Sequence, residues 1–239
     1  MLKSLNDKIV LVTGGTSGYG KATAQTLVKE GAIVIIASRN ADDLKIVQKE
    51  INCADYICMD VSTVEGWLNA EKLIIEKYGR LDILVNNAGG GIAIKETTEQ
   101  EFEDIDKIIK LNLNSVVYGC KVFGKYMKQQ NGGTIINVAS VCATHCWSGY
   151  GVYGAAKAGV LNFSKSLYIE LQKYNVRVTC LIPASANTKF AESAGIKVGK
   201  LAMTAQDVAD TVKYICNLPS TAVVEEVTVW GIDQVVNPL

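Results

Sequence analysis

Tyr153 and Lys157 stand four residues apart in Tyr153-Gly154-Ala155-Ala156-Lys157, and Ser140 lies thirteen residues before the tyrosine. These three side chains can make a proton donor for carbonyl chemistry. Residues i and i+4 share one face of a helix, so the spacing sets the Lys157 ammonium beside the Tyr153 phenol. A neighbouring cation favours phenolate and draws a tyrosine down from its ordinary pKa of about 10. Ser140 follows the apolar run Thr134-Ile135-Ile136-Asn137-Val138-Ala139, which reads as a buried strand. Its hydroxyl would then leave the carboxyl end of a strand, where open α/β sheets bind ligands. Tyr-x-x-x-Lys also recurs by chance on amphipathic helices. The triplet carries chemistry only if a cofactor site lies elsewhere in the chain.

Such a site is written near the N-terminus. The strand-like Lys8-Ile9-Val10-Leu11-Val12 runs into Thr13-Gly14-Gly15-Thr16-Ser17-Gly18-Tyr19-Gly20 and then a helical pattern from Lys21 to Glu30. Strand, glycine-rich turn and helix together are the context of a dinucleotide site. Glycine admits positive φ and lets backbone approach a pyrophosphate, and the helix N-terminus offers free N–H groups and partial positive charge. The spacing here is Gly-x-x-x-Gly-x-Gly.

The elements that must position these residues alternate. Apolar, often β-branched runs fall at 8–13, 33–37, 55–59, 81–85, 134–139, 176–181 and 226–230. Helical patterns at 19–30, 41–51, 63–78, 103–130, 150–174 and 205–217 separate most of them. That order predicts an α/β fold: a doubly wound parallel sheet of about seven strands with helices on both faces, in a single domain spanning 1–239. Asn40 before Asp42-Asp43, and Ser62 before Glu65, read as N-caps followed by first-turn acids, so these carboxylates belong to helix ends.

Composition narrows the function classes. The 239 residues carry 24 basic and 24 acidic side chains, with no long basic run, so the footprint of a nucleic-acid binder is missing. The first eight residues are too short and polar for a signal peptide, and the apolar stretches are far below the roughly 20 residues of a membrane span. The seven cysteines, an odd number without framework spacing, predict free thiols and a cytoplasmic setting. Cys142, His145 and Cys146 lack a second ligand pair at zinc spacing, which favours pocket lining and no metal.

Taken together, the motifs resemble the short-chain dehydrogenase/reductase family in its compact single-domain, Rossmann-type branch. They occur in the family's order: Thr-Gly-x-x-x-Gly-x-Gly at 13–20, Asp60-Val61, Asn86-Asn87-Ala88-Gly89, Asn112, Ser140, Tyr153-x-x-x-Lys157, and a proline-led loop from Pro183 to Thr188. The resemblance runs from about Lys8 to Val229. It implies a catalytic set of Asn112, Ser140, Tyr153 and Lys157. Ser140 would polarise the carbonyl oxygen, Tyr153 would give the proton, Lys157 would bind the nicotinamide ribose, and Asn112 would support the proton path through a perturbed helix.

The resemblance also implies a cofactor site. Gly14, Thr16, Ser17, Gly18, Tyr19 and Gly20 would cradle the phosphates. Asp60 and Val61 would read the adenine, Asn87, Ala88 and Gly89 would border its ribose, and Pro183 and Thr188 would hold the carboxamide end. Gly90-Gly91 would leave a flexible floor. At the end of the second strand, Ser38-Arg39 replaces the acid of an NAD site. A hydroxyl with a guanidinium suits a 2′-phosphate, so NADP(H) is expected. Two positions depart from the family pattern. Tyr19 replaces an aliphatic residue between the last two glycines, and Ala184 replaces a glycine after Pro183.

Cys142, Trp147 and Tyr150, with Ser140 and Tyr153, form the expected substrate wall, joined by Val141, Ala184, Phe190 and Lys189 around a substrate loop at about 184–203. The expected reaction interconverts a neutral, hydrophobic ketone or aldehyde, including hydroxysteroid-like rings, with its alcohol. A 3-oxoacyl-carrier-protein reductase is the alternative with the same chemistry, and a non-catalytic dinucleotide-binding regulator is the alternative of another class. The expected assembly is a homotetramer, with neither membrane nor nucleic acid as partner.

Overall fold

The computed structural model describes residues 4–90, 95–186 and 202–234. Seven parallel strands form one sheet in the order β3-β2-β1-β4-β5-β6-β7. They are β1 (Ile9–Thr13), β2 (Ile33–Ser38), β3 (Asp55–Cys58), β4 (Ile83–Asn86), β5 (Gly133–Val138), β6 (Val176–Pro183) and β7 (Glu226–Val229). The central strands are continuous apolar runs because both sheet faces are covered; every residue of β1 and β4 is buried.

Helices α1 (Gly18–Lys29), α2 (Ala41–Ile51), α3 (Val64–Tyr78), α4 (Phe102–Ile109), α5 (Ser115–Gln130), α6 (Gly151–Leu171) and α7 (Ala205–Asn217) lie between the strands. On one face α1 packs against α2 and α7; on the other α3 meets α5 and α5 meets α6. Strand order reverses between β1 and β4, and such a switch point opens a crevice at the strands' carboxyl ends.

The Asn40 cap is as expected, with its side-chain oxygen accepting from the backbone N–H groups of Asp42 and Asp43. The second cap shifts by one residue. Thr63, not Ser62, accepts from Gly66 N–H, because Ser62 spends both its hydroxyl and its N–H on Asp60. The long pattern at 103–130 is broken by one π turn, Lys110–Asn114.

A buried polar chain fixes α6 to the sheet. Asn86 of β4 donates to the Asn137 oxygen of β5 at 2.9 Å, and Asn137 donates to Ser164 of α6 at 3.0 Å. Ser164 continues the inward stripe Tyr153, Lys157, Val160, at the spacing of one helical face. Pairing buried polar groups is favoured over leaving them unmet, so the Asn137–Ser164 bond sets the rotation and height of α6 against β5.

Candidate active site

A cavity of about 740 Å³ runs along the carboxyl edge of the sheet, within the usual range of small-molecule sites. Its first wall is the turn after β1. Gly14 and Gly18 hold positive φ of 66° and 51°. A Cβ on Gly14 would meet the Asn87 amide and the Ala88 backbone, so β1 and β4 can approach closely only through glycine. Thr13 secures the junction, its hydroxyl accepting from the N–H groups of Asn87 and Ala88 at 3.0 Å each.

Ser17 caps α1 through an extended backbone with no side-chain hydrogen bond, whereas Asn40, Thr63 and Thr204 all cap their helices with side chains. No side chain covers the first N–H groups of α1, as is also true of α4 and α6, but here Thr16, Ser17, Gly18 and Tyr19 line the cavity. A phosphate fits such a turn. Gly20 does not line the cavity. It is glycine for packing, since a Cβ there would run into the Gly14 carbonyl oxygen.

Ser38 and Arg39 line the far end with Ala37, Met59 and Val61. The Thr16 hydroxyl donates to Ser38 at 3.4 Å. Asp60 lies beside the cavity without lining it, and its Oδ1 is taken by the Ser62 N–H and hydroxyl at 2.9 and 2.7 Å. Burial acts to raise the Asp60 carboxyl, but those two bonds and the Arg39 charge outweigh it and hold the group below its ordinary range. Asn87, Ala88, Gly89 and Pro183 line the cavity. Thr188, Lys189, Phe190 and Gly91 lie outside the described residues, as does most of the expected substrate loop.

The described part of the floor is clamped. Asn112, fully buried in the π turn, donates to the Gly90 carbonyl at 2.9 Å and accepts from the Gly90 N–H at 3.0 Å. It also donates to the Ile108 carbonyl at 3.0 Å. The asparagine does not line the cavity; it holds the glycine that does.

Ser140, Tyr153 and Lys157 converge at the other end. Ser140 leaves β5 in extended conformation and opens a 3-10 turn, with its hydroxyl accepting from Cys142 N–H at 3.2 Å. The Lys157 ammonium donates to the Val138 carbonyl at 2.9 Å and lies 5.7 Å from the centre of the Tyr153 ring.

The electrostatic balance differs from the sequence expectation. Tyr153 packs with Ile108 and Val152, flanked by Ile105, Ile109, Cys142 and Tyr150. Burial in that apolar clamp pushes the phenol well above its ordinary value, and the neighbouring Ser140 hydroxyl only partly offsets it. The same desolvation draws Lys157 down to about 8. Burial therefore outweighs the ammonium as the control on Tyr153, and the phenol is held protonated.

Cys142, Trp147 and Tyr150 line the cavity near Tyr153, with Val141 and Ala184 also in its lining. His145 and Cys146 stay off the cavity; His145 meets Trp230 edge-on at 5.3 Å and Trp147 at 6.1 Å. Among the described residues no three His, Cys, Asp or Glu side chains gather as metal ligands, and none of the seven cysteines is in a disulfide.

Ser185 and Ala202, at the two ends of the expected substrate loop, also line the cavity, whereas Leu111 and, after β7, Asp233 and Gln234 are lining residues not expected from sequence. Gln234 accepts from Ser185 N–H at 3.1 Å, which brings the C-terminal segment to the cavity. Its one sequence signal is a place just past a strand's carboxyl end.

A doubly wound parallel sheet, with a phosphate-ready turn at one end of its crevice and a serine–tyrosine–lysine set at the other, defines a dinucleotide-type oxidoreductase fold. The sequence model of the short chain dehydrogenases matches residues 8–198. A tropinone reductase-like protein of Erythroxylum coca is 36% identical over 199 residues, 81% of this chain and 72% of the relative. A serine dehydrogenase solved in its closed form with NADP+ superposes with a TM-score of 0.91 at 28% identity, over 97% of this chain and 98% of its own. A 3-ketoacyl-(acyl-carrier-protein) reductase from Brucella melitensis, solved with NADH, gives 0.87 at 30% identity, over 96% and 99% of the two chains. The chain belongs to the short-chain dehydrogenase/reductase family and is an oxidoreductase of that family. No helix among its described residues is long and apolar enough to cross a membrane.

Proposed function

We propose that this protein is an NADP(H)-dependent oxidoreductase that interconverts a neutral, hydrophobic ketone or aldehyde with its alcohol. The observation that carries the reading is one continuous cavity with Arg39 and the free α1 N-terminus at one end and Ser140, Tyr153 and Lys157 at the other. The nicotinamide supplies or accepts the hydride when bound. The chain's own residues bind, orient and move a proton. Ser140 donates to the carbonyl oxygen as negative charge develops on it, a contribution that grows toward the transition state. Tyr153, held protonated by burial, gives its phenolic proton to that oxygen as general acid. Lys157 is fixed by Val138 close to both Tyr153 and Gly89, a position from which its ammonium can bind ribose hydroxyls. Asn112 acts through Gly90, keeping the floor at one height. Arg39 gives the cofactor choice its charge.

The substrate wall supports the hydrophobic preference: Cys142, Trp147, Tyr150 and Ala184 place apolar surface around the reacting position. A homotetramer fits the exposed apolar side chains Phe102 and Ile169 of α4 and α6. The similarity to a 3-ketoacyl-(acyl-carrier-protein) reductase supports a second reading, the same chemistry on a carrier-bound chain. Specificity constants decide between them. A bulky cyclic ketone with NADPH should exceed both a short β-keto acid and an acyl thioester; a clear lead for the charged acid removes the hydrophobic preference, and a lead for the thioester favours the second reading.

A further inference from the structure

Tyr19 is a cavity residue whose side chain the proposed chemistry leaves unused. It sits in the first turn of α1, between two glycines of the phosphate-ready turn, and lines the cavity. Its hydroxyl crosses to the other wall and donates to the Ala184 carbonyl at 2.9 Å, over 165 residues of sequence. The Ala184 N–H is already committed on the opposite side, to Val229 of β7 at 2.8 Å. The peptide segment after β6 is therefore held from two directions. β7 and Gln234 fix it through the Ala184 and Ser185 N–H groups, and Tyr19 fixes it to the glycine turn.

An aliphatic side chain at this position could fill space but could not take the Ala184 carbonyl. Burial raises the Tyr19 phenol well above its ordinary value, so it remains a donor through the neutral and moderately alkaline range. Tyr19 also lies near enough to Tyr153 for its charge, if formed, to be felt there. The latch thus spans from the phosphate end of the cavity toward the catalytic end.

We propose that Tyr19 is a positioning residue whose hydroxyl latches the segment after β6 onto the glycine turn, presetting the gap into which the dinucleotide binds. This rests on the dinucleotide reading above for its ligand, and on the Tyr19–Ala184 bond for its mechanism. A gap set in advance spares the ligand the ordering of that segment, which appears as affinity.

The test is Tyr19→Phe, which keeps the ring and removes the hydroxyl. Amide exchange at Ala184, Ser185 and Ala186 is measured in the cofactor-free protein, with NADPH affinity from fluorescence titration. Loss of one neutral hydrogen bond corresponds to about a fivefold effect. The expected result is exchange about fivefold faster at 184–186 and unchanged in β1 and β5, with an NADPH Kd about fivefold higher. Unchanged exchange at 184–186 overturns the latch. Faster exchange with an unchanged NADPH Kd reduces the bond to a structural tie and overturns the positioning role. A parent protein that fails to bind NADPH at all sinks the cofactor reading instead, and the exchange comparison still decides whether the latch exists.

Discussion

Replacing Lys157 with methionine should make the protein more stable at neutral pH while removing its activity. Lys157 is 3% exposed, and its ammonium donates to the Val138 carbonyl at 2.9 Å. Burial lowers the group from 10.5 to about 8. One pKa unit corresponds to about 1.36 kcal/mol, so holding the ammonium in the fold costs about 3 kcal/mol at pH 7. Methionine has similar length and no charge. It forfeits the bond to Val138, about 1 kcal/mol, which leaves a net gain of about 2 kcal/mol. For a chain of this size that is roughly 4–8 °C in Tm.

The sign follows from linkage. The folded-state value is depressed, so between about 8 and 10.5 the unfolded chain binds more protons than the folded one. Parental stability from this group therefore rises with pH across that window. The methionine variant lacks this dependence. Its advantage should be complete at pH 7, shrink from about pH 8 upward, and reverse slightly by about pH 10.5. Calorimetric melting of both cofactor-free proteins across this range measures the difference, in which the other titrating groups cancel. A variant that melts several degrees below the parent at pH 7, by an amount constant with pH, refutes the reasoning.

Two further outcomes follow from the site. Arg39→Ala should weaken NADPH about 10- to 150-fold through loss of charge-assisted hydrogen bonds, with NADH much less affected; equal losses for both cofactors, measured as specificity constants, would remove Arg39 from the 2′-phosphate. Because burial holds the Tyr153 phenol protonated, alcohol oxidation, which needs the phenolate as base, should climb steadily between about pH 7 and 9, while ketone reduction should not climb; an oxidation rate flat over that range contradicts the raised phenol.

The sheet is legible in the sequence because its central strands are short, β-branched and apolar, a pattern that two covered faces impose; the edge strands β3 and β7 are polar at alternate or terminal positions. Strand ends differ by one or two residues, as with β4 at Ile83–Asn86 against a run at 81–85. The triplet Ser140, Tyr153 and Lys157 is legible because its spacing is local on a helix and its serine ends a strand. What local pattern does not carry is the outcome of competing tertiary effects. The i, i+4 spacing predicts that Lys157 governs Tyr153, yet the clamp includes Ile108, distant in sequence, and makes burial the larger influence. The glycine pair at 90–91 reads as a flexible floor, but Asn112 reaches Gly90 across 22 positions. Ser62 loses its cap to Thr63 because Asp60 claims it, and the same claim occupies one oxygen of a carboxylate expected to read adenine. Gln234 and Asp233 reach the cavity through the C-terminal segment, which no local pattern connects to Ser140.

The central claim is that Tyr153 is the proton donor of a reduction run in this cavity. Tyr153→Phe keeps the ring in its clamp and removes only the hydroxyl. NADPH oxidation with a bulky cyclic ketone should fall about 10²- to 10⁴-fold, while NADPH binding, followed by fluorescence, stays within a few-fold of the parent. Turnover within a few-fold of the parent would contradict the account outright.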